Sequence, residues 1–242
     1  MKNVFLSFLI MASLTTAAIA QPAEYESDRI QTSGGELTMY FIGHGSLMFD
    51  FAGKKIYVDP WSKLADYSGF PKADLILITH QHRDHLDPKA ISDVTKEDTK
   101  LVETQTVYDE LNKGRVMKNG DQITIEGVEI EAVPAYNTTE GRDKFHPKGR
   151  DNGYILTFSD KRVYVAGDTE DIPEMDTLKD IDIAFLPMNQ PYTMTPEQVA
   201  HAAEMIHPKI LYPYHYGDTD TSNIEQLMKD TQDVEIRIRM MK

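Results

Sequence analysis

Cysteine is absent from this 242-residue chain. That excludes disulfide staples and thiolate nucleophiles, and any metal must be held by imidazole and carboxylate. Tryptophan occurs once, at Trp61. Beyond the first twenty residues no apolar run approaches the ~20 residues of a membrane-spanning helix, and no low-complexity tract or obvious internal repeat occurs. Positive charge is also scarce: 25 basic residues face 39 acidic ones, for a net charge of −14. Such a surface repels polyanions and disfavours nucleic acid as the main substrate.

The first twenty residues do not read as fold. Lys2 gives a short positive start, Val4 to Leu14 an apolar segment, and Ala18-Ile19-Ala20 a small-residue cleavage pattern. Together they predict a secretory signal peptide over residues 1–20 and export to a periplasm or beyond. The apolar segment is too short for a transmembrane anchor, and no cysteine is present to accept a lipid. Residues 21–242 then form one domain, with enough apolar content for a substantial core.

What is present is concentrated in HQHRDH, residues 80–85, which places three imidazoles and a carboxylate directly after the apolar run DLILIT (74–79). That run predicts a buried strand delivering polar groups to a cleft. In extended backbone His80 and His82 leave on the same side and can share one metal. Asp84 and His85 turn elsewhere and suit a second metal close by. KRVYVAGDT (161–169) reads as an alternating strand ending at Asp168, whose carboxylate could bridge two cations, with Gly167 allowing close backbone approach. ILYPYHYG (210–217) repeats the logic, ending at His215.

HQHRDH, GDT and YHYG, in this order, resemble the metal-binding motifs of the metallo-β-lactamase superfamily of hydrolases. The resemblance spans most of the chain after Gln21. With GHGSLMFDF and IYVDPW it is closest to the subgroup that includes the ascorbate-phosphate lactonase-like proteins. It implies His80 and His82 on the first metal, Asp84, His85 and His215 on the second, and Asp168 bridging both. It also implies a third histidine for the first metal from the loop after strand 128–133. Asn137 stands at that place, and His146, in FHPKG of the next loop, is the candidate ligand; two histidines and water are the alternative. Several antibiotic-degrading members use a cysteine ligand and others lack the bridging aspartate, so β-lactamase activity is disfavoured.

The implied fold is an α/β, four-layer αββα sandwich of two mixed sheets flanked by helices. Periodicity predicts strands at 36–42, 47–51, 54–59, 74–79, 122–126, 128–133, 152–158, 161–166, 182–186, 209–212 and 234–238, and helices at 88–94, 105–112, 195–206 and 222–231. Thr195, Pro196 and Gln198 form the clearest helix start. His201 and His207 have no motif around them and are expected to be structural.

His44, between glycines in IGHGSLMF, is expected at the rim of the cleft, contacting substrate or orienting a ligand. Asp59, after the strand KKIYV and before Pro60, could hold a ligand histidine from behind; the alternative is an ordinary turn aspartate. Lys144, Lys148 and Arg150 form a basic patch that could meet a phosphate or carboxylate, or merely solvate a loop.

Two divalent ions around one water would bring its pKa from ~15.7 toward about 7, giving a metal-bound hydroxide at neutral pH, with Asp84 orienting it. Zinc is the default, with manganese or iron also compatible with the carboxylates. The predicted activity is hydrolysis of an ester, lactone or phosphoester of a small molecule. Competing readings are a phospholipid or nucleotide phosphodiesterase, and a non-hydrolytic metal-binding or oxygen-reducing protein. Loops 61–72, 137–151 and 187–194 are where specificity would lie, and neither substrate nor oligomeric state is legible in them.

Overall fold

Strands buried on both faces dominate the chain, and their period of two sorts side chains into separate cores. The computed structural model describes residues 25–229, 231 and 233–242; the expected signal peptide lies outside them. The first sheet takes its strands in chain order: β1 (Ser27–Thr32), β2 (Gly35–Gly43), β3 (Ser46–Phe51), β4 (Lys54–Val58), β5 (Leu75–Leu77), β6 (Lys100–Glu103) and β7 (Arg115–Val116). The second does the same with β8 (Gln122–Ile125), β9 (Val128–Ala135), β10 (Asp151–Phe158), β11 (Lys161–Val165), β12 (Ile183–Pro187), β13 (Ile210–Tyr214) and β14 (Glu235–Ile236).

Each sheet begins with four antiparallel neighbours and continues with parallel ones. The two halves of the chain therefore repeat one topology that the sequence does not display as a repeat. In both halves, functional candidates follow the C-terminal ends of parallel strands: Asp59 and the histidine cluster after β4 and β5, Asp168 and His215 after β11 and β13. Such ends open onto a crevice in α/β sheets.

On β2, Leu37, Met39 and Phe41 enter one core while Tyr40 and Ile42 enter another. The first core is shared by the two sheets, with Phe49 from β3 against Phe158 from β10 at 5.4 Å between centroids. Each fully buried side chain of this size contributes roughly 1.5–3 kcal/mol, so the inter-sheet layer fixes how the two sheets face each other. The outer face of the first sheet is covered by α1 (Pro88–Val94) and α2 (Gln105–Leu111), through Ala90, Ile91, Val94 and Val107. Helix α3 (Pro196–Ile206) buries Val199, Ala203 and Ile206 against the second sheet, with α4 (Ser222–Leu227) beside it. The result is the four-layer α/β sandwich of two mixed sheets expected from the sequence.

Every strand and helix expected from periodicity is present, although α4 ends at Leu227 instead of running on to 231. Thr195 caps α3 in a full capping box with Gln198, and Pro196 opens the first turn. Strands β1, β6 and β7 were not anticipated, and pairing explains them. β1 carries one apolar residue, Ile30, and pairs with β2 over its full length, whereas β6 adds to β5 and the two-residue β7 to β6 at the sheet edge. Among the described residues no helix is long and apolar enough to cross a membrane.

Candidate metal centre

Asp59 sits immediately after β4 with φ of +45°, a conformation that costs a non-glycine residue on the order of 1–3 kcal/mol. It is held there by Thr79, whose N–H donates to Oδ1 (2.8 Å) and whose hydroxyl donates to Oδ2 (2.5 Å). Oδ2 also receives Nδ1–H of His85 at 2.8 Å. Nδ1 of His80 lies 3.0 Å from the same Thr79 hydroxyl. One carboxylate behind β5 thus sets the tautomer of two histidines and leaves both Nε2 lone pairs facing forward. Gly45 makes this approach possible, because a Cβ there would lie 2.8 Å from Cε1 of His85.

Two sets of donors face the cleft. His80, His82, His146 and Asp168 form one, and His44, Asp84, His85 and His215 the other, with the ligand atoms of each set within 4.8 Å of one another. Asp168 also joins the second set. Its Oδ2 lies 3.4 Å from Nε2 of His146 and 3.9 Å from Nε2 of His80, while Oδ1 lies 3.4 Å from Nε2 of His85 and 3.5 Å from Nε2 of His215. In the first set Nε2 of His80 and Nδ1 of His82 are 3.0 Å apart. Donors around a tetrahedral zinc ion with bonds of about 2.0–2.1 Å stand about 3.3 Å from one another, so the spacing suits one ion per set.

Several of these atoms are buried and have no hydrogen-bond partner among the described residues: Nε2 of His85, His146 and His215, and Oδ1 of Asp168. Orphaned polar atoms cost about 1–3 kcal/mol each, and here they converge. The residues present therefore fit divalent metal. Asp168 is brought forward by Gly167, which adopts φ of +66° and lies so close to β10 that a Cβ would meet the Asn152 carbonyl oxygen at 2.8 Å.

The electrostatics agree. Burial, reinforced by His85, His146 and His82, pushes the His80 imidazolium well below its ordinary pKa; burial and His146 lower His82. Burial works to raise Asp84, but the nearby imidazole of His215, at 3.8 Å, and the hydrogen bond with His44 overcome it and hold the group well below the usual carboxylate range. Asp168 is likewise lowered against its burial by His215, His85 and His146. His85 is pushed up to about 10: burial opposes its protonation, and the carboxylates of Asp168 and Asp59 outweigh it. A pocket whose carboxylates draw a proton onto a fully buried imidazole is one that calls for a cation.

The loop carrying His146 is fastened by the residues next to Asp168. Thr169 Oγ donates to the carbonyl of Tyr136, and the carboxylate of Glu170 accepts from the N–H groups of Thr138 and Thr139 and from Arg142. His146 itself is oriented by Asp151, at 3.0 Å from Nδ1, which is in turn forked by Arg150 at 2.7 and 2.8 Å. None of these supports was anticipated. Thr79, Asp151 and Glu170 belong to no spacing pattern, although each adjoins a residue that does.

Each anticipated site residue is found at the cleft. Asp59 lies behind it rather than in a free turn, and His44, with φ of +50°, lies at the rim, its Nε2 3.1 Å from Oδ2 of Asp84. Its ring lies 3.6 Å from that of His215 and 5.1 Å from Trp61, and its carbonyl accepts the N–H of His215. Asn137 is no donor to the centre: its N–H donates to the carbonyl of His146, and Nδ2 to those of Tyr192 and Arg142. In the basic patch, two of the three charges are paired. Lys148 pairs with Glu174 and Arg150 with Asp151, leaving Lys144 as the member without an ion pair among the described residues. His201 is exposed and paired with Asp171, and His207 ends α3 in a left-handed conformation.

The Beta-lactamase superfamily domain model matches residues 38–215, a span running from β2 to the last donor. A protein of Ligilactobacillus salivarius described as a UPF0173 metal-dependent hydrolase is 32% identical over 185 residues, 72% of this chain and 83% of its own. A crystal structure of a protein from Parabacteroides distasonis, classed as a metal-dependent hydrolase, superposes with a TM-score of 0.88 at 59% identity, covering 90% of this chain and 100% of that one. The metallo hydrolase Igni18 from Ignicoccus hospitalis superposes with a TM-score of 0.71 at 26% identity over 84% of this chain and 94% of its own.

Proposed function

The chain belongs to the metallo-β-lactamase superfamily, and from that premise we propose that this metal-dependent hydrolase holds two divalent ions, zinc by default, and cleaves an ester, lactone or phosphoester of a small molecule. His80, His82 and His146 would hold the first ion, Asp84, His85 and His215 the second, and Asp168 both. The observation that carries this reading is the division of the two Asp168 oxygens between the otherwise unpartnered Nε2 of His146 on one side and those of His85 and His215 on the other.

Bound metal would supply an acidified water and a positive field over the reacting carbonyl or phosphoryl oxygen. The protein groups do the rest. Asp84, kept ionised by the surrounding imidazoles and its hydrogen bond with His44, is placed to accept a hydrogen bond from the attacking group and orient it. His44 holds that carboxylate in position from the rim. Asp59 and Asp151 lock the imidazoles behind the donors, so little reorganisation accompanies the reaction.

The cleft lining of His82, Asp84, Phe145, His146, Asp168, Asn189, Tyr192 and His215, about 390 Å³ in volume, includes no lysine or arginine. That lining favours a small substrate over a nucleotide or other polyanion. Export rests on the sequence of residues 1–20; amino-terminal sequencing of protein recovered from the periplasm tests it, with a start at Gln21 expected.

Activity is tested with a panel of lactones, carboxylic esters, phosphodiesters, thioesters and β-lactams, using metal-replete wild type and Asp84→Ala. Turnover of at least one ester or lactone, reduced on the order of 100-fold or more in the variant, is expected. Failure on the entire panel together with success in a redox assay would remove the hydrolase reading.

A further inference from the structure

Tyr192 is one of only three large apolar side chains left exposed among the described residues, at 45% relative exposure, and it stands on the wall of the metal cleft. The other two, Leu227 and Met240, are not among the residues lining that cleft. An aromatic ring left in water at the mouth of a polar site is unusual enough to ask what covers it.

The ring is not on a loose loop. Its backbone N–H donates to the carbonyl of Asn189, its carbonyl accepts from Nδ2 of Asn137 at 2.8 Å, and the adjacent Thr193 is fully buried with its N–H on the Asn189 carbonyl. Asn137 also donates its own N–H to the carbonyl of His146 at 2.8 Å. One residue thereby couples the wall bearing Tyr192 to the loop bearing a donor histidine. The wall's distance from the reacting centre is fixed by the fold.

Tyr192 has an aromatic partner. Phe145, directly before His146, meets it edge-on, with centroids 5.1 Å apart and planes at 73°. The two rings form an L-shaped corner of the kind that accepts a third flat ring by stacking on one and meeting the edge of the other. Lys144, which makes no ion pair among the described residues, has its ammonium 5.0 Å from the Phe145 centroid. Asn189, also on the cleft wall, has a side-chain amide without a hydrogen-bond partner among the described residues, so a neutral donor and acceptor remain for a ligand.

We propose that Phe145 and Tyr192 form a subsite for a flat, uncharged ring, aromatic or a lactone's own, attached next to the scissile bond, with the Asn189 amide facing its polar substituent. The location of the scissile bond rests on the proposed metal centre; the ring preference rests on the corner alone. The substrate class is thereby narrowed to aryl- or ring-bearing esters and lactones, as against short aliphatic or polyanionic ones.

Binding tests this independently of turnover. Phenylacetate and acetate carry the same carboxylate, so any contribution of metal or of Lys144 is common to both, and only the ring differs. Calorimetric titration of zinc-loaded wild type is expected to show phenylacetate binding about 10-fold or more tightly than acetate, the scale of a filled apolar pocket. In Tyr192→Ala and in Phe145→Ala that preference is expected to fall to about threefold or less, with acetate affinity and zinc content unchanged. A wild type with no preference would overturn the proposal, as would a preference that survives in Tyr192→Ala. Both results would leave the hydrolase reading to the activity panel.

Discussion

Nδ1 of His85 lies 2.8 Å from Oδ2 of Asp59, and that oxygen also takes the hydroxyl of Thr79, the residue before His80. The pair joins the end of β4 to the histidine cluster after β5. Replacing the carboxylate frees both imidazoles to rotate. Asp59→Ala is predicted to weaken metal binding about 10–100-fold, read by titrating metal-free protein with zinc. Unaltered affinity would show that Asp59 serves only the turn.

His146 supplies the third nitrogen of the first set, and Asp151 orients it. His146→Ala should lower bound metal from two ions per chain to one. Asp151→Asn should retain both ions at saturating zinc but with affinity lowered on the order of 10-fold or more. Elemental analysis after dialysis distinguishes the two, and a His146→Ala protein with full metal content would remove His146 from the centre.

Gly45 is required for closeness to His85. A Cβ there would meet Cε1 of His85 at 2.8 Å and Nδ1 at 3.2 Å. Gly45→Ala is predicted to cost about 1–3 kcal/mol of stability and to reduce metal retention, with the loss assigned to the second set by the persistence of one ion per chain. Thermal unfolding and elemental analysis, done on the same preparation, check both halves.

Glu103, at the end of β6, is fully buried, and neither carboxylate oxygen has a hydrogen-bond partner among the described residues. Burial pushes its pKa from 4.5 up to about 7, against a smaller opposing pull from Lys113. Between those values the folded state keeps a proton that the unfolded state has lost, so this group makes stability fall as pH rises from about 4.5 to about 7. Glu103→Gln, a neutral isostere, should match wild type at pH 4 and melt roughly 3–8 °C higher at pH 8. Equal melting temperatures at pH 8 would mean that Glu103 finds a partner.

Much of the centre is legible in sequence because metal chemistry restricts residue types. Imidazoles and carboxylates at strand ends are few, and His80, His82, Asp84, His85, Asp168 and His215 all follow runs that could only be buried strands. The supports are a different matter. Thr79, Asp151 and Glu170 act through contacts set by tertiary packing, and threonine or an acidic residue beside a motif is too common to signal anything. His146 was reachable through the resemblance alone, since fourteen residues of loop separate Tyr136 from the next strand. The short strands β6 and β7 escape periodicity because two to four residues cannot show a period; pairing of β6 to β5 and of β7 to β6 makes them strands. The repeated topology of the two sheets escapes for a similar reason. Any apolar alternation satisfies the pairing pattern, so the halves need share no residues.

The most direct test compares metal content in Asp168→Ala and His215→Ala after reconstitution with zinc and dialysis. If the two oxygens of Asp168 serve separate ions, His215→Ala loses one ion per chain and Asp168→Ala falls well below one. Equal losses in the two variants, or an Asp168→Ala protein that keeps both ions, would contradict a shared centre.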